Sequence, residues 1–583
     1  MRTTGDLPRV HFVAEATQCP LCDGALKVYK SRSRQVVTFK AGSFLATETL
    51  MQCAGNPNHP IMDSNVLAQL VAPHQRFGYD LVVEVGYARY LENKQRTEIQ
   101  ADLYRQRGIK LSSGSISHLC DRFLTHLESL HLARTPQLRA ILETGYPLHL
   151  DATCELGKGG LFVCMDGRRG WVLVAGRITS EHADHLRPLV EKTTHLFGDP
   201  VATVQDMGKG GAKAISTLRV KGIPDLICHF HFLAAVGKKL FEQSYRLLRR
   251  LLKSSKVRTD LRTLLRDLRC YSNNSPCEGQ FGKGVVREDL PALVLWILEG
   301  DGSKDLVYPF GLVHLIFFQR CQQARQRAEC WVQGPRTLPE RRAIAHLTTL
   351  VQRLDKDERF VKAATRLEEG WQAFCELRDV LQLTNAELPR ADVRVQQKEL
   401  AAIEARRMQE IKEALRDYRG ELAGRVAASD EPGLSTSPDK VIVKYIDRYA
   451  KRLFGHPLLR DEDGEIVAIV ERTNNVVEHF FGTEKQHLRR RLGRANLGRD
   501  LEDQPAQVAL AANLRHPDYV RVLCGHLDQL PMAFAQLDEQ VLAQATPLTR
   551  SNRDTELQKL IRARLKNENR IDSSSKTGNP TVV

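Results

Sequence analysis

Long apolar runs are missing from this 583-residue chain. Nowhere do about 18 or more apolar residues follow one another, the length a membrane-spanning helix requires, and the first residues lack a signal-peptide pattern. The expectation is a soluble, cytoplasmic protein with no membrane partner. A disulfide framework is also lacking: the 13 cysteines are odd in number and scattered, which points to reduced thiols and metal ligation. Acidic charge is in the minority, 70 Asp and Glu against 85 Lys and Arg, leaving a formal charge of +15 and a pI near 9.2. That excess suits a polyanionic partner, because cationic side chains displace counterions from a phosphate backbone. The length implies three or four domains.

What the chain does have is carboxylates at the ends of apolar runs. Residues 146–151 form a short run closed by Asp151, and 161–166 and 170–176 follow, reading as three consecutive strands separated by turn residues. A helical stretch over 180–197 leads to a buried strand at 200–206, closed by Asp206, with a Gly-rich turn at 208–211 behind it. Metal-assisted phosphodiester cleavage needs hard oxygen ligands, since Mg2+ prefers carboxylates and water in an octahedral shell. Two ions about 3.5–4 Å apart activate the attacking oxygen and stabilise the leaving one. A third carboxylate should come from a helix beside the sheet. Glu478 suits that place, with Thr473 or Asn474 as helix cap and Glu478 in the first turns. Taken singly, each Asp reads as a turn former and Glu478 as an acid favoured by the helix dipole. Glu471, Glu484 and Asp166 are the rivals, Glu471 ranking second because it precedes the Asn pair.

In their order, the Leu150-Asp151 and Gln205-Asp206 strand ends, the Cys-His-Phe-His run at 228–231 and the Thr-Asn-Asn-Val-Val-Glu segment at 473–478 resemble DDE-type transposases of bacterial insertion sequences, of mutator-like breadth. The resemblance implies an α/β RNase H-like catalytic core, built from 141–235 and 439–530 and interrupted by an all-helical insertion at 236–438. It implies Asp151, Asp206 and Glu478 as a catalytic triad holding two Mg2+ (or Mn2+) ions, with Cys228 and His231 as active-site neighbours. The implied reaction is hydrolysis at the ends of the element, then attack of the freed 3′-hydroxyl on target DNA. The partner would be double-stranded DNA, both transposon ends and target, bound by a homodimer or larger assembly at the bacterial nucleoid. For Cys228 and His231 the plain alternative is a buried strand end with a satisfied core histidine.

Outside that core, the pair Cys19 and Cys22, with Cys53 and His59, has the spacing of a structural Zn2+ knuckle within an N-terminal domain, 1–64. Strands at 34–40 and 47–52 would support it. Residues 65–140 read as helical. Within them a helix over 95–108, a tight turn and a second helix from 114 form a helix-turn-helix pattern. Ser113, Ser115, Ser117 and His118 would meet bases, and Lys110 and Arg122 phosphates. The plain alternative is a helical linker. Arg489, Arg490, Arg491 and Arg494 form a basic cluster read as a DNA backbone contact, against the plainer reading of a solvated helix face. The insertion carries leucine-and-cation helices such as 246–253, a charged heptad-like stretch at 395–425, and Trp296, Trp331 and Trp371. Those tryptophans are core by default, and one of them is a candidate to stack on an unpaired base. A link at 430–438 and a helical and flexible tail over 531–583 complete the layout. Two other functions fit the same residues: a domesticated zinc-containing DNA-binding regulator, and an RNase H-like nuclease that cuts without joining.

Overall fold

The computed structural model describes residues 7–153, 160–274, 289–299, 307–334, 336–383, 397–428, 437–460, 463–464 and 466–537. The expected link at 430–438 and tail at 531–583 fall largely outside the described residues. The chain forms two compact units. The first is Met1–Asp225 with Leu459–Asp463 and Thr473–Val583; the second is Leu226–Leu458 with Gly464–Arg472.

The first unit opens with a three-stranded sheet of order β1-β3-β2: β1 (Arg9–Val13), β2 (Leu26–Thr38) and β3 (Gly42–Cys53). β3 alternates cleanly, with Phe44, Ala46, Glu48 and Leu50 buried, as a strand with one covered face must. Phe12, Val36, Phe44, Ala46, Leu67 and Val71 make its small core. The two sequence-predicted strands are parts of the longer β2 and β3, and β1 was not anticipated.

Five helices follow: α1 (Asn65–Leu70), α2 (Tyr79–Tyr90), α3 (Arg96–Arg107), α4 (Ser113–Ala133) and α5 (Thr135–Leu142). They lead into β4 (Pro147–Thr153), β5 (Gly160–Asp166), β6 (Trp171–Ile178), α6 (Ala183–Phe197), β7 (Ala202–Gln205), α7 (Lys209–Ala214), α8 (Ser216–Val220) and β8 (Asp225–Ile227). The sheet order is β6-β5-β4-β7-β8. β5 runs antiparallel to β4 and β6, while β7 runs parallel to β4. All seven residues of β5 are buried, the mark of a strand covered on both faces.

The chain crosses into the second unit along β8. There it forms α9 (His229–Ser255), α10 (Val257–Asn274), α11 (Leu290–Glu299), α12 (Val313–Val332), α13 (Leu338–Asp355), α14 (Glu358–Val380), α15 (Gln397–Ala428) and α16 (Pro438–Leu453). Phe241, Trp371 and Phe374 pack together with ring centroids 5.4 to 6.0 Å apart, so Trp371 serves the core. The expected all-helical insertion, 236–438, lies within a unit that runs wider and also contains the short strand at Ile466–Ile469. α16 was expected in the catalytic part and instead belongs to the helical unit, where Asp439 and Asp447 pair with Arg425 and Arg419 of α15.

Two short strands, β9 (Leu458–Arg460) and β10 (Ile466–Ile469), precede the return to the first unit. That return consists of α17 (Asn475–Leu492), α18 (Gly498–Asp503), α19 (Val508–Ala511), α20 (Pro517–Cys524) and α21 (Leu530–Ala535). Val477, Phe480 and Phe481 of α17 join one continuous core with Leu148 and Leu150 of β4, Phe123 of α4 and Phe534 of α21. Among the described residues no helix is long and apolar enough to cross a membrane.

Candidate active site

Parallel pairing of β4 with β7 sets Leu150 opposite Gln205. The next residues, Asp151 within β4 and Asp206 just past the end of β7, therefore stand on neighbouring strands at the same level. The expected strand end at Asp151 is corrected, since β4 continues to Thr153. Asp206 accepts the Gly208 N–H at 2.8 Å, and Gln205 donates to Asp225 at 2.7 Å, which in turn pairs with Arg219. Behind them the Gly-rich segment, expected as a turn, instead starts α7 with Gly208 at its N-cap and packs tightly against the loop before α6. A Cβ on Gly210 would lie 1.7 Å from the Glu181 carbonyl oxygen, so only glycine fits there.

Glu478 arrives from the first turn of α17, its N–H donating to the Asn474 carbonyl at 3.1 Å. Asn474 holds the N-cap position, yet its side chain does not cap the helix. Its Oδ1 lies 3.0 Å from His149 Nδ1 and its Nδ2 donates to the Leu150 carbonyl at 3.3 Å. The expected side-chain cap is thus replaced by a bond to β4, because a strand carbonyl and a buried imidazole compete for the same amide.

Burial first, and then the charges of Asp206, Glu478 and Glu181, together push the Asp151 carboxyl up to about 7 against the stabilising Ala152 N–H. Four carboxylates of the first unit are therefore near enough to repel, the pattern expected where like charges share a site. Glu181 was missed in the sequence, since an acid in the loop before α6 carries no distinguishing signal. His149, on the inward face of β4, is fully buried, and burial holds its imidazole down to about 4.

The rivals to Glu478 have other duties. Asp166 is buried and paired with Arg169 at 2.9 Å. Glu484 lies 3.1 Å from His487 and 3.4 Å from Arg491. Glu471 belongs to the second unit, as do Cys228, buried just before α9, and His231, half-buried in its first turn.

In the basic cluster Arg489, Arg490 and Arg494 are exposed, and the expectation needs correction at Arg491. Arg491 is buried, pairs with Glu484 and lies over the Tyr90 ring at 5.4 Å. Arg490 bonds Glu98 at 2.6 Å, Arg489 donates to the Ala495 carbonyl at 3.3 Å, and Arg494 pairs with Asp500 at 3.3 Å. These cations find acceptors within the unit, and Arg491 and Arg490 fasten α17 to Tyr90 of α2 and Glu98 of α3 respectively.

The helix-turn-helix pattern is present as α3, Gly108 in the left-handed region (φ +65°), and α4. α4 starts at Ser113, one residue earlier than expected, with Ser112 accepting the Ser115 N–H at 3.1 Å. Ser113 and His118 are exposed, and exposed Lys110 lies over Tyr104. Ser117 already accepts from Arg96 at 2.8 Å, and the Ser115 hydroxyl meets Ser112 at 2.9 Å. Arg122 is not available for phosphate. It turns inward and donates to the Phe77 carbonyl at 3.3 Å.

At the N-terminal sheet, the ligand atoms of Cys19, Cys22, Cys53 and His59 all lie within 4.8 Å of one another. Cys22 Sγ is 3.6 Å from Cys53 Sγ and from His59 Nδ1, and Cys19 Sγ is 3.2 Å from that nitrogen. Thiolates on a tetrahedral zinc with Zn–S about 2.3 Å sit about 3.8 Å apart, so the group can hold a metal ion such as zinc. Backbone donation, chiefly from Asn56, lowers the Cys53 thiol to about 7. The knuckle turns at Asp23 (φ +52°), whose N–H returns to the Cys19 carbonyl at 2.8 Å.

The chain matches no protein-family model and no curated protein.

Proposed function

We propose that this protein is a DDE-type DNA transposase with an RNase H-like catalytic core. The observation that carries the reading is the crowding of Asp151, Asp206 and Glu478, which contributes to raising the Asp151 carboxyl to about 7. Support also comes from the element order β4-β5-β6-α6-β7, with the two Asp following the Leu150–Gln205 pair of adjacent strands, and from the helical unit that separates Asp206 from Glu478.

The donor set fits Mg2+ or Mn2+: hard carboxylate oxygens whose mutual repulsion a divalent cation would relieve. When bound, such ions supply Lewis acidity and an activated oxygen nucleophile. Asp151 and Asp206 would hold them from the two strand ends, and Glu478 from α17. The exposed start of α4, with Lys110 beside it, would present the protein to a DNA groove. The zinc-type knuckle would stiffen the sheet that precedes it.

The test uses labelled DNA carrying the ends of the surrounding genetic element, a supercoiled target plasmid and Mn2+. A transposase yields labelled product joined to plasmid. Cutting without joining would replace the reading by that of a nuclease, and binding without cutting by that of a regulator.

A further inference from the structure

We propose that Asn474 and His149 form a clamp that positions Glu478 beside Asp151, so that both act as positioning residues for divalent-cation binding at the three-carboxylate site. This rests on the reading of that site given above. An Asn at an N-cap normally accepts a hydrogen bond from its own helix, which stabilises the helix start. Asn474 forgoes that bond and spends both ends of its amide on β4.

The orientation is fixed by chemistry. Because Nδ2 donates to the Leu150 carbonyl, Oδ1 faces His149, whose Nδ1 must then carry the proton. His149 in turn has no room to turn away. A Cβ on Gly167, at the end of β5, would lie 2.2 Å from its Nε2 and Cδ2. Both clamp residues are fully buried, so water does not compete for these bonds. The clamp ends one residue from Asp151 on one side, and on the other at the carbonyl that receives the Glu478 N–H. Displacing Asn474 therefore moves Glu478 relative to Asp151.

The test is a double-mutant cycle on the full, zinc-loaded chain, with Mn2+ as probe and the resonance of free Mn2+ as readout. Asn474→Ala and Glu478→Gln should each weaken Mn2+ binding on the order of tenfold, the usual effect of losing a group that orients a ligand. Acting through Glu478, Asn474→Ala should add little further loss in the Glu478→Gln background. Wild-type affinity in Asn474→Ala, or losses that multiply, would overturn the clamp. Should Asn474→Ala fail to fold, His149→Phe carries the same cycle, since it keeps a ring against Gly167 and lacks the N–H. An intact cycle without any DNA cleavage would instead sink the transposase reading alone.

Discussion

Asp151 carries the clearest residue-level consequence. Its carboxyl is raised from 3.8 to about 7 by burial and then by neighbouring acids. The native state therefore favours the protonated form. This contribution to stability is complete below about pH 4 and is lost as pH rises through about 7. In EDTA, Asp151→Asn should be more stable than the wild type at pH 8 by on the order of 1–2 kcal/mol, with the gap closing toward pH 4. Mn2+ should reverse the order at pH 8. Denaturant unfolding of the first unit across that range gives the comparison, and a pH-independent gap would mean that Asp151 stands uncrowded. That Asp151 lies on a buried strand could be read from its apolar run, although β4 continues past it to Thr153. That Asn474 abandons its helix for His149 could not, because 325 positions separate the partners and nothing in either neighbourhood names the other.

Among the elements, α17 shows at Arg491 where sequence reading fails and why. Four arginines in a short span read as a phosphate contact, since a sequence does not reveal which cations meet acids of the same chain. In the fold, Arg491 is buried against Glu484 and Tyr90. Arg491→Ala should therefore cost about 3 kcal/mol or more in thermal stability, because it strands a buried carboxylate. It should leave the salt dependence of DNA binding unchanged. Lys110→Ala should do the opposite, lowering DNA affinity and the salt slope by about one at constant stability. Equal effects of the two variants on binding would refute the division. The Cys3His cluster was legible because four ligand residues at metal spacing form a strong local pattern, and its supporting strands followed from alternation. β1 escaped notice as five residues whose parallel pairing with β3 is a long-range choice. Cys53→Ser should abolish the bound zinc, measured by elemental analysis of the purified protein. Retention of a full equivalent would displace Cys53 from the ligand set.

For the whole molecule, the order of strands and helices around the two Asp was readable, because buried strands and their turns leave local signatures. The extent of the helical unit was not. α16 looks like any amphipathic helix, and its membership is decided by pairing with α15. The proposed activity depends on the two visits the chain makes to the first unit, one bringing Asp151 and Asp206 and the other Glu478. The most direct measurement is Mn2+-dependent cleavage of the element's end DNA by the intact protein and by Asp151→Ala, Asp206→Ala and Glu478→Gln, with DNA binding followed in parallel. The account predicts cleavage by the intact protein alone and equal binding by all four. Undiminished cleavage by any of the three variants would contradict it.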